Sequence, residues 1–192
     1  MKVSREKAAQ TRARIVEQAG ALFRAKGFGN VGVADIMKAA DLTHGGFYGH
    51  FDSKDDLSVE ASRRALAGSA DRWRVIVAEA GDKPYPAVIE HYLSSRHRDE
   101  PAGGCALSAL GTDAARASPA LRGVFADGLR ALVDILTGAL PGFSKPAKRR
   151  KAVAAMATMV GAVTLARAVD DPGLSEEILD AARQELRTAA YR

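Results

Sequence analysis

Residues 43–54 hold most of the side chains that could bind a partner. Thr43, His44, Tyr48, His50 and Lys54 all carry hydrogen-bond donors within this one short stretch. Three glycines lie among them, although each glycine weakens a helix by about 1 kcal/mol relative to alanine. Small residues let a helix approach another surface closely, and the donors suit bases and phosphates. The stretch therefore indicates a nucleic-acid contact rather than a catalytic centre.

The elements around this stretch are predicted to be a short helix, a tight turn and a second short helix. Apolar residues recur at helical spacing over Val33–Ala40, which predicts a helix with one apolar face. Asp41 follows at a turn that needs a left-handed residue. Thr43 is predicted to cap the next helix, His44 to about His50. Two short helices joined by a turn place side chains in a DNA major groove.

A third helix is predicted to begin directly after this pair. Phe47 and Phe51, one helical turn apart, are expected to anchor the inner side of the second helix. Asp52 or Ser53 is expected to cap the third helix, which places Lys54 in its first turn. A cation there opposes the helix dipole, so another group must favour it. A DNA phosphate would supply that partner.

Three motifs occur together in the order and spacing of one family: TRARIVEQAGALFRAKGF at Thr11–Phe28, then VADIMKAADLTHGGFYGHF, then SKDDL at Ser53–Leu57. Over roughly the first third of the chain, the sequence resembles the TetR family of bacterial transcriptional repressors. The resemblance implies an all-α protein with a three-helix helix-turn-helix DNA-binding domain at residues 1–52. It also implies a larger helical domain at residues 53–192 for effector binding and dimerisation.

The resemblance implies a homodimeric, ligand-responsive repressor on double-stranded DNA with a palindromic operator. A two-fold dimer places two reading helices on such a site. The residues expected to face bases or adjacent phosphates are Thr43, Gly45, Tyr48 and His50, and the family suggests that Tyr48 reaches a phosphate. The residues expected to anchor the DNA backbone are Arg12, His44 and Lys54.

The chain departs from the family pattern at three places. Val31 and Gly32 stand where Thr or Ser usually leads into the second helix, which removes a side-chain cap. Asp41 occupies a turn position that usually carries Gly. His44 stands where Lys often touches the DNA backbone, and a histidine is mostly neutral at pH 7.

Charge and composition agree with a DNA-binding protein. The net charge is +5, and residues 1–26 hold seven Lys or Arg against two Glu. An excess of Lys and Arg beside a helix that reads DNA is typical of a surface that binds a polyanion. By itself, the same run would indicate only a solvated helix face. Hydrophobic residues make up 47% of the 192 residues, enough for a core in each of two domains.

We expect a cytoplasmic protein with no cofactor, no metal and no membrane partner. The N-terminus is charged and has no apolar segment of the kind that secretory leaders carry. No run of about 18 uninterrupted apolar residues predicts a membrane span. A single cysteine forms no internal disulfide, which fits a reducing compartment.

The rest of the chain is predicted to be helical, and no alternating strand pattern competes. Breaks at glycine, proline and serine separate the elements. The predicted helices are about 54–80, 84–98, 105–117, 119–140, 147–169 and 175–191.

The last two predicted helices suggest a dimer. The first of them has little polar surface, and a helix that is apolar nearly all round is buried on most sides. Core packing within one chain explains this pattern, and so does a four-helix bundle between two chains, as the family resemblance implies. The expected interface residues are Met156, Met159, Val160, Val163, Ile178, Leu179, Ala182 and Leu186.

Cys105 is the candidate for regulation, because it follows two glycines at a predicted helix N-terminus. That position can stabilise a thiolate, with Arg96 or Arg98 as a nearby cation, and some family members with a similar segment respond to oxidants or electrophiles. Burial as a small apolar residue is the alternative. The expected effector pocket consists of Trp73, Tyr92, Cys105, Leu107, Phe125 and Leu129, each of which could equally be plain core.

Two other classes of function compete with a regulator. An enzyme could pair Cys105 with a histidine, but no phosphate loop, GxSxG, HExxH or paired-carboxylate motif occurs. His91 and His97 could bind a ligand or simply cap a helix. A membrane-surface module would need a basic helix with large apolar anchors, and the first helix has only a small apolar face. Two experiments discriminate a membrane-surface module from a regulator. The module should co-sediment with lipid, whereas the regulator should bind a palindromic DNA sequence specifically and in a salt-sensitive way. The sequence favours a regulator that is not an enzyme.

Overall fold

The computed structural model describes residues 2–142 and 144–189, and all regular elements in these ranges are helical. The all-α prediction is therefore confirmed. Two 3₁₀ helices, His44–Gly49 and Pro101–Gly103, accompany the α-helices. The α-helices are α1 (Lys2–Lys26), α2 (Val33–Ala39), α3 (Lys54–Glu79), α4 (Pro84–Tyr92), α5 (Ser95–Asp99), α6 (Ala106–Ala114), α7 (Pro119–Ala139), α8 (Lys145–Ala168) and α9 (Pro172–Ala189).

Local sequence signals set many of these boundaries. The hydroxyls of Ser53, Ser94 and Ser118 each accept a hydrogen bond from a backbone amide in the first turn of α3, α5 and α7. Such caps satisfy amides that have no partner within the helix. The helix α3 ends where Gly81 takes a φ of 58°, a conformation that glycine adopts without strain.

One continuous apolar core joins both ends of the described chain. It runs from Ile15 in α1 to Leu186 in α9, and α3 contributes along its length. Within it, α3 and α7 pack closely at Gly128 and Leu66. A Cβ built on Gly128 would lie 2.6 Å from Leu66 Cδ1, so only glycine fits there without a shift.

The prediction of a single helix over residues 84–98 is wrong, because the structure divides this stretch into α4 and α5. The Ser94 hydroxyl donates to the His91 carbonyl oxygen at 2.9 Å and accepts from the His97 amide at 3.2 Å. These local bonds replace the helical ones and turn the chain.

Two other helix boundaries also differ from the predictions. The helix α6 is shorter than predicted, since it ends at Ala114. The last helix begins at Pro172 rather than residue 175, because the Asp171 carboxylate accepts from the Leu174 amide at 3.0 Å. Its predicted end at Tyr191 lies outside the described residues.

The helix α8 is long and apolar enough, by length and composition alone, to cross a membrane. Its most apolar window has a mean hydropathy of 1.3, and 39% of that window is buried in the protein. A core helix of a soluble protein passes the same test. Here α8 packs between α7 and α9.

The eight residues expected at a dimer interface are mostly buried within the single chain. Six of the eight are buried in the core, because α8 and α9 pack on each other within one protomer. Val160 and Ile178 are partly buried against the same core. The residues that α8 leaves exposed are different, and include Val153 and Leu165. The six buried members are Met156, Met159, Val163, Leu179, Ala182 and Leu186.

Candidate nucleic-acid interface and the neighbouring cavity

The stretch His44–Gly49, here called the recognition segment, is a 3₁₀ helix rather than the predicted α-helix. Its glycines disfavour an α-helix, and a 3₁₀ helix of this length is a common short substitute. Thr43 stands at the N-cap position as predicted, but its side chain makes no capping hydrogen bond. The His50 amide closes the segment by donating to the Phe47 carbonyl oxygen at 2.9 Å.

The turn before the recognition segment has the predicted left-handed residue. Asp41 has a φ of 53°, and the next amide, that of Leu42, donates to the Met37 carbonyl oxygen at 2.8 Å. At the other end of α2, the Gly32 amide donates to the Asp35 carboxylate at 2.9 Å. Asp35 therefore supplies a helix-start contact where the family usually has Thr or Ser before α2.

The recognition segment has a buried side and an exposed side. Phe47 is fully buried and stacks on Phe51 with ring centroids 5.7 Å apart, as the spacing predicted. Tyr48 is 67% exposed, and His50 is half-buried. The other exposed members of the expected DNA-contact set are Thr43, His44 and Gly45.

The packing of the chain does not require two of the glycines in this segment. A Cβ built on Gly45 or Gly49 would meet no atom within 4 Å. On Gly46 it would make only an ordinary contact with Met37, at 3.6 Å. The fold would accept alanine at these positions, and alanine is the better helix former.

Arg12 has partners within the chain next to the recognition segment, although its side chain is 40% exposed. Its guanidinium donates to the His50 carbonyl oxygen, forms an ion pair with Glu60, and lies 4.0 Å from the centre of the Phe51 ring. These contacts give Arg12 a bracing role within the chain, and its expected role as a DNA-backbone anchor stays a prediction. The sequence could not show this, because Glu60 and His50 are distant from Arg12 along the chain.

Replacing Arg12 with Met should lower the free energy of unfolding by about 1.5 kcal/mol, because two charge-assisted hydrogen bonds are lost. The slope of log affinity for DNA against log salt should stay unchanged, since no phosphate contact is removed. Urea denaturation and a salt titration of DNA binding measure the two quantities. Arg14→Met, at an exposed position of the same helix, is the control. Unchanged stability with a lower salt slope would restore the phosphate role.

Lys54 also has a partner inside the chain. Its Nζ donates to the Phe28 carbonyl oxygen at 2.7 Å, which explains a cation in the first turn of α3 without a DNA phosphate. The Phe28 amide donates to the Asp113 carboxylate of α6 at 3.1 Å. The backbone of Phe28, just after α1, is thus held by α3 at its carbonyl group and by α6 at its amide group.

A cavity of about 230 Å³ lies in the larger helical region, beside the loop before α6. Trp73, Tyr92 and Cys105 line it together, as expected of an effector pocket. Leu107 and Leu129 instead line a separate open groove of about 400 Å³ beside α8. Phe125 is buried in the core and lines neither. The six expected pocket residues therefore do not form one pocket.

The loop before α6 is fixed by His97. The His97 Nδ1 lies 2.6 Å from the Tyr92 carbonyl oxygen, and its Nε2 accepts from the Cys105 amide at 3.0 Å. Because a carbonyl only accepts, Nδ1 carries the proton and the ring is neutral. Burial lowers the pKa of His97 to about 4, with help from the charge of Arg167. Both ring nitrogens bind backbone groups, so His97 is not placed as a base for the Cys105 thiol.

Cys105 is buried and stands at the N-cap of α6. The expected cations are engaged elsewhere, Arg96 with Glu100 and Arg98 with Asp99 and Glu176. The cations whose charge reaches Cys105 are Arg24 of α1 and Arg167 of α8. Burial lowers the pKa of both, and the interaction with Cys105 opposes this shift. Sequence reasoning missed these two arginines because tertiary packing alone brings them to the cysteine.

The loop before α6 contacts α1 directly. The Arg24 Nε of α1 donates to the Ala102 carbonyl oxygen at 2.7 Å. Together with the contact between Phe28 and Asp113, this ties the loop before α6 and the end of α6 to the C-terminal end of α1 and the residues just after it. No group of three or more potential ligands for a metal ion occurs in the described ranges.

Comparison with known proteins shows which family this chain resembles. Residues 15–61 match the family model for bacterial regulatory proteins of the tetR family. Over these residues the chain is similar to the TetR family. The matched residues include α2, the recognition segment and the start of α3.

Individual relatives agree with the family assignment. The chain is 27% identical over 86 residues to the HTH-type transcriptional regulator YerO of Bacillus subtilis, itself described as uncharacterized. That match covers 45% of this chain and 30% of YerO, so it spans less than a third of the curated relative.

Solved structures resemble the whole chain. A TetR transcriptional regulator from Chloroflexus aurantiacus is 26% identical, with a TM-score of 0.81 and 97% of each chain covered. The reduced form of NemR from E. coli is 21% identical, with a TM-score of 0.78, 93% of this chain covered and 96% of NemR. The latter shows the shared fold only.

Proposed function

We propose that this TetR-family regulator is a homodimeric repressor that binds a palindromic operator and that an effector, or modification of Cys105, releases it. Residues 1–52 would bind DNA, and residues 53–192 would bind the effector and dimerise. The observation that carries the proposal is the exposed side of the recognition segment. Tyr48 is exposed there beside Gly45 and Gly49, which the fold itself does not require. Close approach to DNA explains both features.

The proposed DNA contacts follow from exposure. Thr43, Gly45 and Tyr48 would face bases or adjacent phosphates, with half-buried His50 at the edge of the surface. His44 would donate to the DNA backbone. Arg12 and Lys54 would act indirectly, by holding the recognition segment and the end of α1 in place.

Replacing Tyr48 with Phe should weaken binding to every DNA sequence by about tenfold, because the hydroxyl is expected to donate to a phosphate. Stability should not change, since the side chain is 67% exposed. Fluorescence anisotropy on the operator and on a scrambled duplex measures both affinities. A change in base preference with equal overall affinity would contradict the phosphate assignment.

The proposed dimer uses the exposed side of α8. Val153 and Leu165 are 51% and 58% exposed there, next to small side chains such as Ala157 and Gly161. A helix side with small residues and large exposed apolar ones suits a second helix packed closely on it. Two-fold pairing would bring two recognition segments onto one palindrome.

Leu165→Glu should convert the dimer to a monomer, since it places a charge in the proposed interface. The monomer should remain folded, because this side chain is largely exposed within one chain. Sedimentation equilibrium gives the mass and circular dichroism gives the fold. The matched control is Val75→Glu, which changes an exposed apolar residue of α3. A dimer that survives Leu165→Glu would place the interface elsewhere.

Release would act through α6. A ligand in the cavity, or an adduct on Cys105, would shift the loop that holds Ala102, and with it Arg24 and α1. The hydrogen bond from the Phe28 amide to the Asp113 carboxylate would transmit the shift at the C-terminal end of α6. Such an effector works only by binding the released state more tightly than the DNA-bound state.

The experiment that tests the proposal is a gel shift of the purified protein on its own upstream DNA. It is run with and without peroxide or an electrophile, beside Cys105→Ser. Specific binding that oxidation abolishes in the wild type but not in the variant would support a thiol switch. Specific binding that ignores oxidation would leave a non-covalent effector. No specific shift at low salt, on several candidate palindromes, would overturn the repressor assignment.

A further inference from the structure

We propose that the 230 Å³ cavity binds a small organic acid, with its carboxylate between Arg72 and the N-terminus of α6. This inference rests on the proposed effector function of the cavity and adds the chemical class of the ligand.

The first support is an excess of positive charge around the cavity. The cations Arg72 and Arg96 line it beside His91 and the neutral ring of His97, whereas Glu100 is the only carboxylate among its described lining residues. Glu100 is already paired with Arg96 at 3.1 Å. Burial lowers the pKa of His91, and the charges of Arg72 and Arg96 lower it further, as expected in a positive field.

Arg72 is the cation that the chain leaves available. It makes no ion pair with any residue of the described ranges, and its Nη2 donates to the Ser69 hydroxyl at 3.1 Å. A second arginine, Arg24, lies close enough for the charge of Arg72 to lower its pKa, after the larger effect of burial. Two arginines without a carboxylate partner favour an anion, and a carboxylate can accept two hydrogen bonds from one guanidinium.

The second support comes from the polar groups at the inner end. The Cys105 N-cap gives α6 no side-chain capping bond, so the amides of its first turn have no side-chain acceptor. A helix N-terminus favours negative charge. Tyr92 also lines the cavity, and its buried hydroxyl lies near the Ser108 and Cys105 side chains without reaching full hydrogen-bond geometry with either. A ligand carboxylate would supply an acceptor for these donors.

The apolar part of the ligand follows from the rest of the wall. Trp73 and Tyr92 meet edge to face in the lining, with ring centroids 5.7 Å apart. Aromatic walls suit a flat apolar body. The volume lies below the roughly 300–1,000 Å³ of pockets for drug-sized ligands, which limits the ligand to about one ring.

The chain carries its own reporter for a test, because Trp73 is its single tryptophan and lines the cavity. Tryptophan fluorescence of the full chain, without DNA, is titrated with benzoate, benzyl alcohol and benzylamine at constant ionic strength. Benzoate should change the emission at concentrations at which the neutral and cationic probes do not. Arg72→Gln should weaken benzoate binding by about tenfold.

The matched control is Arg74→Gln, on the same helix but outside the cavity and paired with Asp71. It should bind benzoate like the wild type. An equal response to benzoate and benzyl alcohol, or no response to benzoate, would overturn the inference. So would an equal loss in both arginine variants. Because this titration contains no DNA, its outcome is independent of the gel shift that tests the repressor.

Discussion

Lowering the pH from 6.5 to about 4 should cost the folded protein about 3 kcal/mol of stability through His97 alone. In the unfolded chain this imidazole binds a proton below its ordinary pKa of 6.5, and in the folded chain only below about 4. Between those values unfolding takes up a proton, so stability falls as pH falls and levels off below about 4. The main cause is burial, which outweighs the opposing hydrogen bond to the Tyr92 carbonyl, and the charge of Arg167 adds to the lowering.

The measurement is urea denaturation at several pH values for the wild type and His97→Gln. The variant lacks the titrating group, so its stability should fall less over this range, while its stability at neutral pH is lower. His44→Asn, at an exposed position, serves as the control for removing a histidine. If wild type and His97→Gln show parallel pH curves, His97 does not titrate as described.

Gly128→Ala should destabilise the protein by about 2 kcal/mol, despite the better helix propensity of alanine. The added Cβ would lie within 3 Å of three side-chain atoms of Leu66, at 2.6 to 2.9 Å. Leu66 is itself 2% exposed in the core, so α3 and α7 would have to move apart. Thermal and urea denaturation measure the loss.

The control for this substitution is Gly123→Ala on the same helix. A Cβ there meets no atom within 4 Å, so the change should stabilise the protein by up to about 1 kcal/mol. Opposite signs at the two glycines would show that contact with α3, and not helix propensity, decides the outcome. A stabilising Gly128→Ala would contradict the close packing of α3 and α7.

The sequence predicted the elements that depend on local signals. The serine cap of α3, the left-handed Asp41 and the buried pair of Phe47 and Phe51 are all present. Each depends on residues within a few positions, which a single sequence displays. The division of 84–98 was missed, because the Ser94 bonds that turn the chain compete with a helical pattern that is also strong.

Long-range partners could not be predicted. Arg12 and Lys54 have the charge and position of phosphate contacts, yet Glu60, the His50 carbonyl and the Phe28 carbonyl occupy them. The apolar residues of α8 and α9 show that these helices pack against other apolar surfaces. They do not show whether those surfaces belong to the same chain or to a second one. Likewise, a list of large apolar residues does not show which of them line one cavity.

The continuous core has a consequence for how the molecule melts. Leu57 and Ala61 of α3 belong to the same apolar cluster as Ile15 and Phe47, so the first three helical elements rest on a helix that starts after residue 52. The proposed division at residue 52 therefore does not separate two folding units. A fragment that ends there should remain unfolded, and the full chain should lose the recognition segment and the cavity in one cooperative transition.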